Sequence, residues 1–404
     1  MRIALVLAAP FPSPQGSQVF VGEMASALAG RGHEVHLVTY GQGREVRGGG
    51  FVHHRARRLP LDDAVRSGPR PMKPVLDVLL AQLLCRLDRR YCFDLLLCHN
   101  YEAAAVGLMV RRLRGVPVVY YSHNVLEDEL PTYFRLRSFQ AVARIAGKWL
   151  DVHVPSRADQ AVALCEFTAE QLLAAGVKPE RLVVAAPAVR DGGPARPANE
   201  ARRALGLPQA PYIIGYAGNL DAYQNLETLA AACSLLLAKP RRRPLLWLVV
   251  THEDGRRLDA IVRRWRLGGA VRVACAQSYA RARLAMEACD VLVLPRRWGS
   301  GFPIKLLNYM SLARPVVTCG CGRKALCPGV EGLVVPDGDP VALAAALEEV
   351  EQDAALAERL ARAARAKYLR CYTWEAVLPL IEQTCERARR ANPLFGAARE
   401  CKAV

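Results

Sequence analysis

The feature that most constrains this chain is an alternation that occurs twice. Short, strand-like and mostly apolar runs at Ile3–Ala8, Glu34–Thr39, Leu95–Cys98, Pro117–Ser122 and Val162–Cys165 are separated by stretches of helical periodicity. In GSQVFVGEMASALAGRGHE, between the first two runs, Val19, Met24 and Leu28 fall near helical spacing and Gly30 and Gly32 suit a helix stop. Strands apolar at every position and spaced by helices require a parallel sheet covered on both faces. The stretch PAVRDGGPARPANEARRALGLPQAP at 187–211 breaks the pattern. The alternation then restarts at Tyr212–Tyr216, Leu245–Thr251, Val271–Cys275, Val291–Pro295, Val316–Cys319 and Gly332–Pro336, with a long helical tail from about Val341. The fold class is therefore α/β, with two doubly wound domains. The expected boundaries are 1–188, a linker at 189–210, 211–380, and a C-terminal helical tail at 381–404. Ligands of open α/β sheets bind beyond the carboxyl ends of the strands, so the chemistry is expected in a cleft between the domains.

Composition excludes several classes. Of the 404 residues 52% are hydrophobic, spread along the chain, which rules out extensive disorder. MRIALVLAAPFPSP reads as a first buried strand; it lacks the small-x-small end of a signal peptide. No run approaches ~18 apolar residues, so no spanning segment is expected. The 13 cysteines mostly sit in apolar contexts, which suggests reduced, packed thiols and a cytoplasmic chain. The net charge of +17 fits an anionic membrane surface, phosphate-bearing substrates, or an Arg-rich composition with no further meaning. The basic residues are scattered, without an aromatic-interleaved stripe, so nucleic acid is not an expected partner.

One motif carries chemistry. In GSGFPIKLLNYMSLARPVV, 299–317, a strand and a glycine-containing loop lead into a helix. Pro303 suits the first helical turn. The N–H groups of Ser300, Gly301 and Phe302 can face an anion at the positive end of the helix dipole. Lys305 can reach the same anion. Asn308, one turn on, can bond a diol. A capped helix with a solvated Lys and Asn is the plainer alternative. Asp337 and Asp339 look like a carboxylate pair, but Asp339-Pro340 before VALAAAL reads as a helix cap and a proline, so no metal or other cofactor is expected.

DVLVLPRRWGSGFPIKLLNYMSLARPVV resembles the donor segment of family-4 glycosyltransferases of GT-B fold, which are retaining and use nucleotide-activated sugars. PFPSPQGSQVFVGEMASALAGRGHEVHLVTY, YIIGYAGNLDAYQNLETLAAA and EGLVVPDGDPVALAAALEEV resemble other segments of that family in the same order. The resemblance implies two Rossmann-like domains, the first binding acceptor and the second the nucleotide sugar. It also implies a donor site containing Gly16, Gly218, Asn219, Arg296, Ser300, Gly301, Phe302, Pro303 and Asn308, with His123 and Lys305 at the reaction. The family's segment usually carries two glutamates eight residues apart; here Ser300 and Asn308 stand in those places. Its usual Arg and Lys early in the second domain are absent from Gly218–Asn225, so Lys305, Arg296 or Arg297 must neutralise the diphosphate.

In the first domain, Gly16 and Ser17 follow the first strand and can approach donor phosphates or acceptor, or simply start a helix. His123 follows PVVYYS; the resemblance puts it at the donor sugar, whereas many histidines at strand ends are only hydrogen-bonded framework. Asn100, Glu102 and Glu127 are candidate acceptor contacts, Glu127 being equally explicable as an acidic helix start. The expected activity is sugar transfer from a nucleoside-diphosphate sugar to a hydroxyl-bearing glycan or lipid-linked acceptor. The alternative is a catalytically weak nucleotide-sugar-binding partner protein of the same fold. The basic stretch Arg55–Arg90, with Arg57, Arg58, Arg66, Arg70 and Lys73, is the expected contact for an anionic, inner-face membrane surface. A dinucleotide oxidoreductase would require G-x-G-x-x-G after the first strand, where this chain has PSPQGS.

Overall fold

The computed structural model describes residues 1–13, 16–44, 46, 48–59, 72–134, 136–299 and 301–392. They form two units: Met1–Val189 with the chain from Trp374, and Arg190–Gly299 with Pro303–Thr373. Gly301 and Phe302 group with the first unit.

The first unit is a seven-stranded parallel sheet of order β3-β2-β1-β4-β5-β6-β7. Its strands are β1 (Arg2–Leu7), β2 (Glu34–Thr39), β3 (Val52–Arg55), β4 (Leu95–His99), β5 (Val118–Ser122), β6 (Gln160–Ala163) and β7 (Leu182–Val184). Its helices are α1 (Gly16–Gly30), α2 (Lys73–Tyr91), α3 (Asn100–Arg114), α4 (Leu126–Glu129), α5 (Arg137–His153) and α6 (Glu166–Ala174). The central strands β1, β4 and β5 are buried along almost their whole length, as a sheet with helices on both faces demands. Val6, Val38, Leu96, Cys98, Val118 and Tyr120 meet Leu80 and Leu84 of α2 and Val106 and Val110 of α3 in one core.

The second unit is a six-stranded parallel sheet of order β10-β9-β8-β11-β12-β13. It contains α7 (Ala198–Ala204), β8 (Tyr212–Ala217), α8 (Leu226–Leu237), β9 (Leu245–Thr251), α9 (Arg256–Arg264), β10 (Val271–Cys275), α10 (Tyr279–Glu287), β11 (Val291–Leu294), α11 (Ile304–Ser311), β12 (Val316–Thr318), β13 (Leu333–Val334), α12 (Pro340–Gln352) and α13 (Ala354–Cys371). The last helix, α14 (Trp374–Arg390), counts with the first unit, where Arg31 and His33 hold its Glu382 at 2.7 and 2.9 Å.

Several expectations need amending. The stretch expected as a linker carries α7. Its buried Arg202 donates to Asp290 Oδ2 at 2.6 Å, and that oxygen also accepts from Ile213 N at 2.6 Å, which ties the stretch to β8 and the start of β11. The expected tail at 381–404 begins inside α14, a single helix of the first unit. Edge strands β3 and β7 were not foreseen, because VHHR and LVV are too polar or too short to register as apolar runs. Cys98, Cys233, Cys289 and Cys385 are free and fully buried, whereas Cys92 is disulfide-bonded. Asp339 caps α12, its Oδ1 accepting from Val341 N and Ala342 N at 2.9 Å each. No helix among the described residues is long and apolar enough to cross a membrane.

Candidate active site

In the second unit, a cation is built against the carboxyl end of β8. Gly218 continues the strand, its N–H donating to Val250 O at 2.8 Å. Tyr309 of α11 pins the helix to the same strand end: its hydroxyl accepts from Ala217 N at 2.8 Å and donates to Ala217 O at 3.1 Å. Lys305, in the first turn of α11, therefore reaches over Gly218. Its Nζ donates to Asn219 Oδ1 at 2.9 Å and to Tyr216 OH at 3.5 Å. A Cβ at Gly218 would come within 2.2 Å of that Nζ, so the ammonium occupies the room a side chain would need. Asn219 is held from every side. Its Oδ1 also accepts from Gln224 Nε2 at 2.7 Å, and its Nδ2 donates to Asp221 and, at 3.1 Å, to Tyr223 OH. Asn225, in the left-handed region at φ 58°, donates from Nδ2 to Pro295 O at 3.1 Å and so fastens this turn to the end of β11.

Neither hydrogen-bond partner of Lys305 is a carboxylate. Burial, with repulsion from Arg296 second, pushes its pKa down to about 7, against weaker pull from Asp221 and Glu253. Arg296 lies with its guanidinium carbon 5.2 Å from the ring centroid of Tyr223. The structure thus brings Lys305, Arg296, Gly218 and Asn219 together. Arg297 is not part of that group; it packs over Gly338. The Asp337 carboxylate accepts from Trp298 N and Gly320 N at 2.7 Å each, and Lys324 donates to Gly299 O at 2.5 Å while lying 4.8 Å from the Trp298 ring centroid. Asn308 lies one turn beyond Lys305, and its Oδ1 accepts from Tyr279 OH at 3.1 Å.

Pro303 is not inside the first turn as expected. It immediately precedes the helix with ψ 74°, leaving its carbonyl to accept from Leu306 N at 2.8 Å. Gly301 has φ 79°, a left-handed conformation that favours glycine, and Phe302 is buried. Ser300 lies outside the described residues.

In the first unit the chemistry is different in kind. His99 ends β4 and His123 follows β5; since the two strands are neighbours, the rings meet, Nδ1 of His99 to Nε2 of His123, at 2.9 Å. Tyr121 stacks on His99 with centroids 4.9 Å apart, Phe20 meets His123 edge-on at 5.6 Å, and Trp374 stacks on Phe20 at 5.3 Å. His99 Nε2 and Tyr121 OH are buried and have no hydrogen-bond partner among the described residues. Burial pushes His123 down to about 4 and His99 well below its ordinary value, so the pair is neutral near pH 7.

The weaker candidates are spread out. Gly16 opens α1 with nothing within 4 Å of a Cβ built on it, so packing does not require glycine there. Ser17 donates to Gln18 Oε1 at 2.8 Å. Asn100 starts α3 at φ 70°. Glu102 is ion-paired with Lys73, which removes both as free charges for an acceptor or a membrane. Arg66 and Arg70 lie outside the described residues. Glu127 lies in the first turn of α4, whose N–H groups at 126 and 127 donate to the Asp151 carboxylate at 3.1 and 2.8 Å. His99, at the end of an apolar run beside Asn100 and Glu102, is a candidate that the sequence signals by its strand-end position, whereas Tyr121, Trp374 and Tyr279 carry no such signal.

Comparison with known proteins gives this geometry a context. The Glycosyltransferase Family 4 model matches residues 14–191, and the Glycosyl transferases group 1 model matches residues 211–353. The chain belongs to the family-4 type of GT-B glycosyltransferases. This glycosyltransferase is 27% identical to D-inositol 3-phosphate glycosyltransferase of Thermomonospora curvata, over 90% of this chain and 88% of that one. It is 28% identical to the enzyme of the same name from Kineococcus radiotolerans, over 93% and 90%. Its fold superposes on sucrose-phosphate synthase of Thermosynechococcus elongatus with a TM-score of 0.82 at 20% identity, covering 97% and 100% of the two chains. For Anabaena Alr3699/HepE in complex with UDP and glucose the TM-score is 0.74 at 16% identity, covering 96% and 99%.

Proposed function

We propose that this glycosyltransferase takes its sugar from a nucleoside-diphosphate sugar and passes it to an acceptor hydroxyl with retention of anomeric configuration. The observation that carries the reading is Lys305: a crowded ammonium beside a second cation, hydrogen-bonded only to neutral groups among the described residues. Such a charge is costly unless an anion arrives, and a diphosphate is an anion of suitable size and charge. The solved complexes of HepE with UDP and with UDP-glucose support a uridine nucleotide as the first donor to try.

In this reading the leaving diphosphate gains charge as the sugar–phosphate bond breaks, so Lys305 and Arg296 act most strongly at the transition state. Asn308 bonds the ribose hydroxyls in place of a carboxylate. His123, neutral and fixed by His99, meets the donor sugar. The acceptor oxygen attacks the face the diphosphate leaves, and the departing phosphate oxygen takes the acceptor proton. No metal is needed, since side-chain cations balance the diphosphate. The acceptor is a hydroxyl of a glycan or a lipid-linked sugar, reached at the cytoplasmic face of a membrane.

The test is a panel of uridine, guanosine and adenosine diphosphate sugars, followed for release of the nucleoside diphosphate with and without simple acceptors. Proton NMR of the product assigns its anomer. Release from none of the donors, or an inverted product, overturns the reading.

A further inference from the structure

Helix α5 is inside out for a globular protein. Helices normally turn their large apolar side chains to the core. In α5 the buried positions are Ala143, Gly147 and Asp151. Gly147 sits so close to α4 that a Cβ would lie 2.5 Å from Leu126 O, and the Asp151 carboxylate accepts from the first N–H groups of α4. The large residues point the other way. Leu136, Phe139, Val142, Ile145 and Trp149 are each more than half exposed. Phe139, Val142 and Trp149 are spaced by three and seven residues, with Ile145 beside them, so they make one stripe. Phe139 stacks with Phe134 and Trp149 with His153, so rings at both ends of the stripe are already ordered.

The charge pattern is equally one-sided. Arg137, Arg144 and Lys148 are exposed and share the flank next to the stripe, at spacings of seven and four. The helix's one carboxylate, Asp151, is the buried one. An exposed apolar stripe edged by cations, on a helix anchored by its small residues, is the pattern of a helix that lies in a membrane interface. We propose that α5 docks this protein on a bilayer surface rich in anionic phospholipid, with Phe139, Val142, Ile145 and Trp149 entering the headgroup boundary and Arg137, Arg144 and Lys148 meeting the lipid phosphates. These residues are other than those of the basic stretch 55–90, and the proposal stands whichever acceptor the enzyme uses.

The experiment is co-sedimentation of the full chain with vesicles of phosphatidylcholine alone or mixed with phosphatidylglycerol, at low salt and at high salt. Binding is expected to the mixed vesicles and to weaken about tenfold or more at high salt, where the Debye length shrinks. The triple variant Arg137→Gln, Arg144→Gln, Lys148→Gln should bind about 100-fold more weakly, at roughly a factor of five per cation. The pair Ile145→Glu, Trp149→Glu should not sediment. All five changed side chains are exposed, and donor hydrolysis by each variant should equal that of the parent, which separates this proposal from the catalytic one. Equal binding to neutral vesicles, unchanged binding by both variants, or a dimer in sedimentation velocity that Ile145→Glu dissolves would each overturn it.

Discussion

The two units hold their candidate residues in opposite electrical states. In the second, Lys305 and Arg296 stand close enough to repel, and the oxygens that accept from the Lys305 ammonium, Tyr216 OH and Asn219 Oδ1, are neutral, with Asp221 and Glu253 pulling only weakly. In the first, His99 and His123 are packed among Phe20, Tyr121 and Trp374 so closely that neither ring carries a positive charge near pH 7. Both sites arise where parallel strands end, so topology alone cannot tell them apart. What distinguishes them is how the neighbours balance charge. The second unit leaves a cation only partly compensated, as suits an anion site; the first removes charge, as suits a group that orients a neutral sugar.

The largest test of that contrast is Lys305→Ala. Turnover should fall at least about 100-fold with the fold retained by circular dichroism, the scale for losing one preorganised charge. Turnover close to the parent's would remove the cation from the mechanism.

A sharper test moves the balance rather than deleting it. Asn219→Asp puts a carboxylate 2.9 Å from the Lys305 ammonium. It should weaken nucleoside diphosphate binding by about tenfold at pH 7. In the parent, a bound diphosphate raises the Lys305 pKa from about 7, so affinity should climb as pH falls toward 7 and level off below it. Calorimetry in the variant should show that slope flattened; an unchanged slope would mean the proton is taken up elsewhere.

The same ammonium should cost stability. Its pKa is 10.5 when unperturbed and about 7 in the fold, so the unfolded chain binds more protons between those values. The penalty is complete below pH 7 and fades as pH rises toward 10.5. Lys305→Met should therefore raise the melting temperature at pH 7 by several degrees while abolishing transfer. A lower melting temperature would show that the cation supports the empty fold.

The smallest expected effect is in the first unit. His123 titrates at about 4 in the fold and 6.5 unperturbed, so stability should decline as pH falls from 6.5 toward 4. Asp151, raised to about 6 by burial, contributes the opposite slope between 3.8 and 6, which blunts the decline. His123→Phe should flatten the acid limb seen in thermal melts taken at successive pH values; an identical limb would place its origin in His36 and His54, which burial also depresses.

Sequence alone determined the two parallel sheets, because a strand buried on both faces must be apolar at every position and such runs are visible one residue at a time. It likewise gave Lys305 and Asn308 on one helix, since their spacing is local, and the Asp339 cap, since a cap needs only its own next three residues. Tertiary structure decided the rest. That Asn219 rather than an acid faces Lys305, that Arg296 joins it while Arg297 turns to Gly338, and that His99 meets His123 all depend on which strands lie side by side. The inverted face of α5 was hidden for the same reason: its periodicity reads as an ordinary amphipathic helix, and only packing shows which face the protein covered.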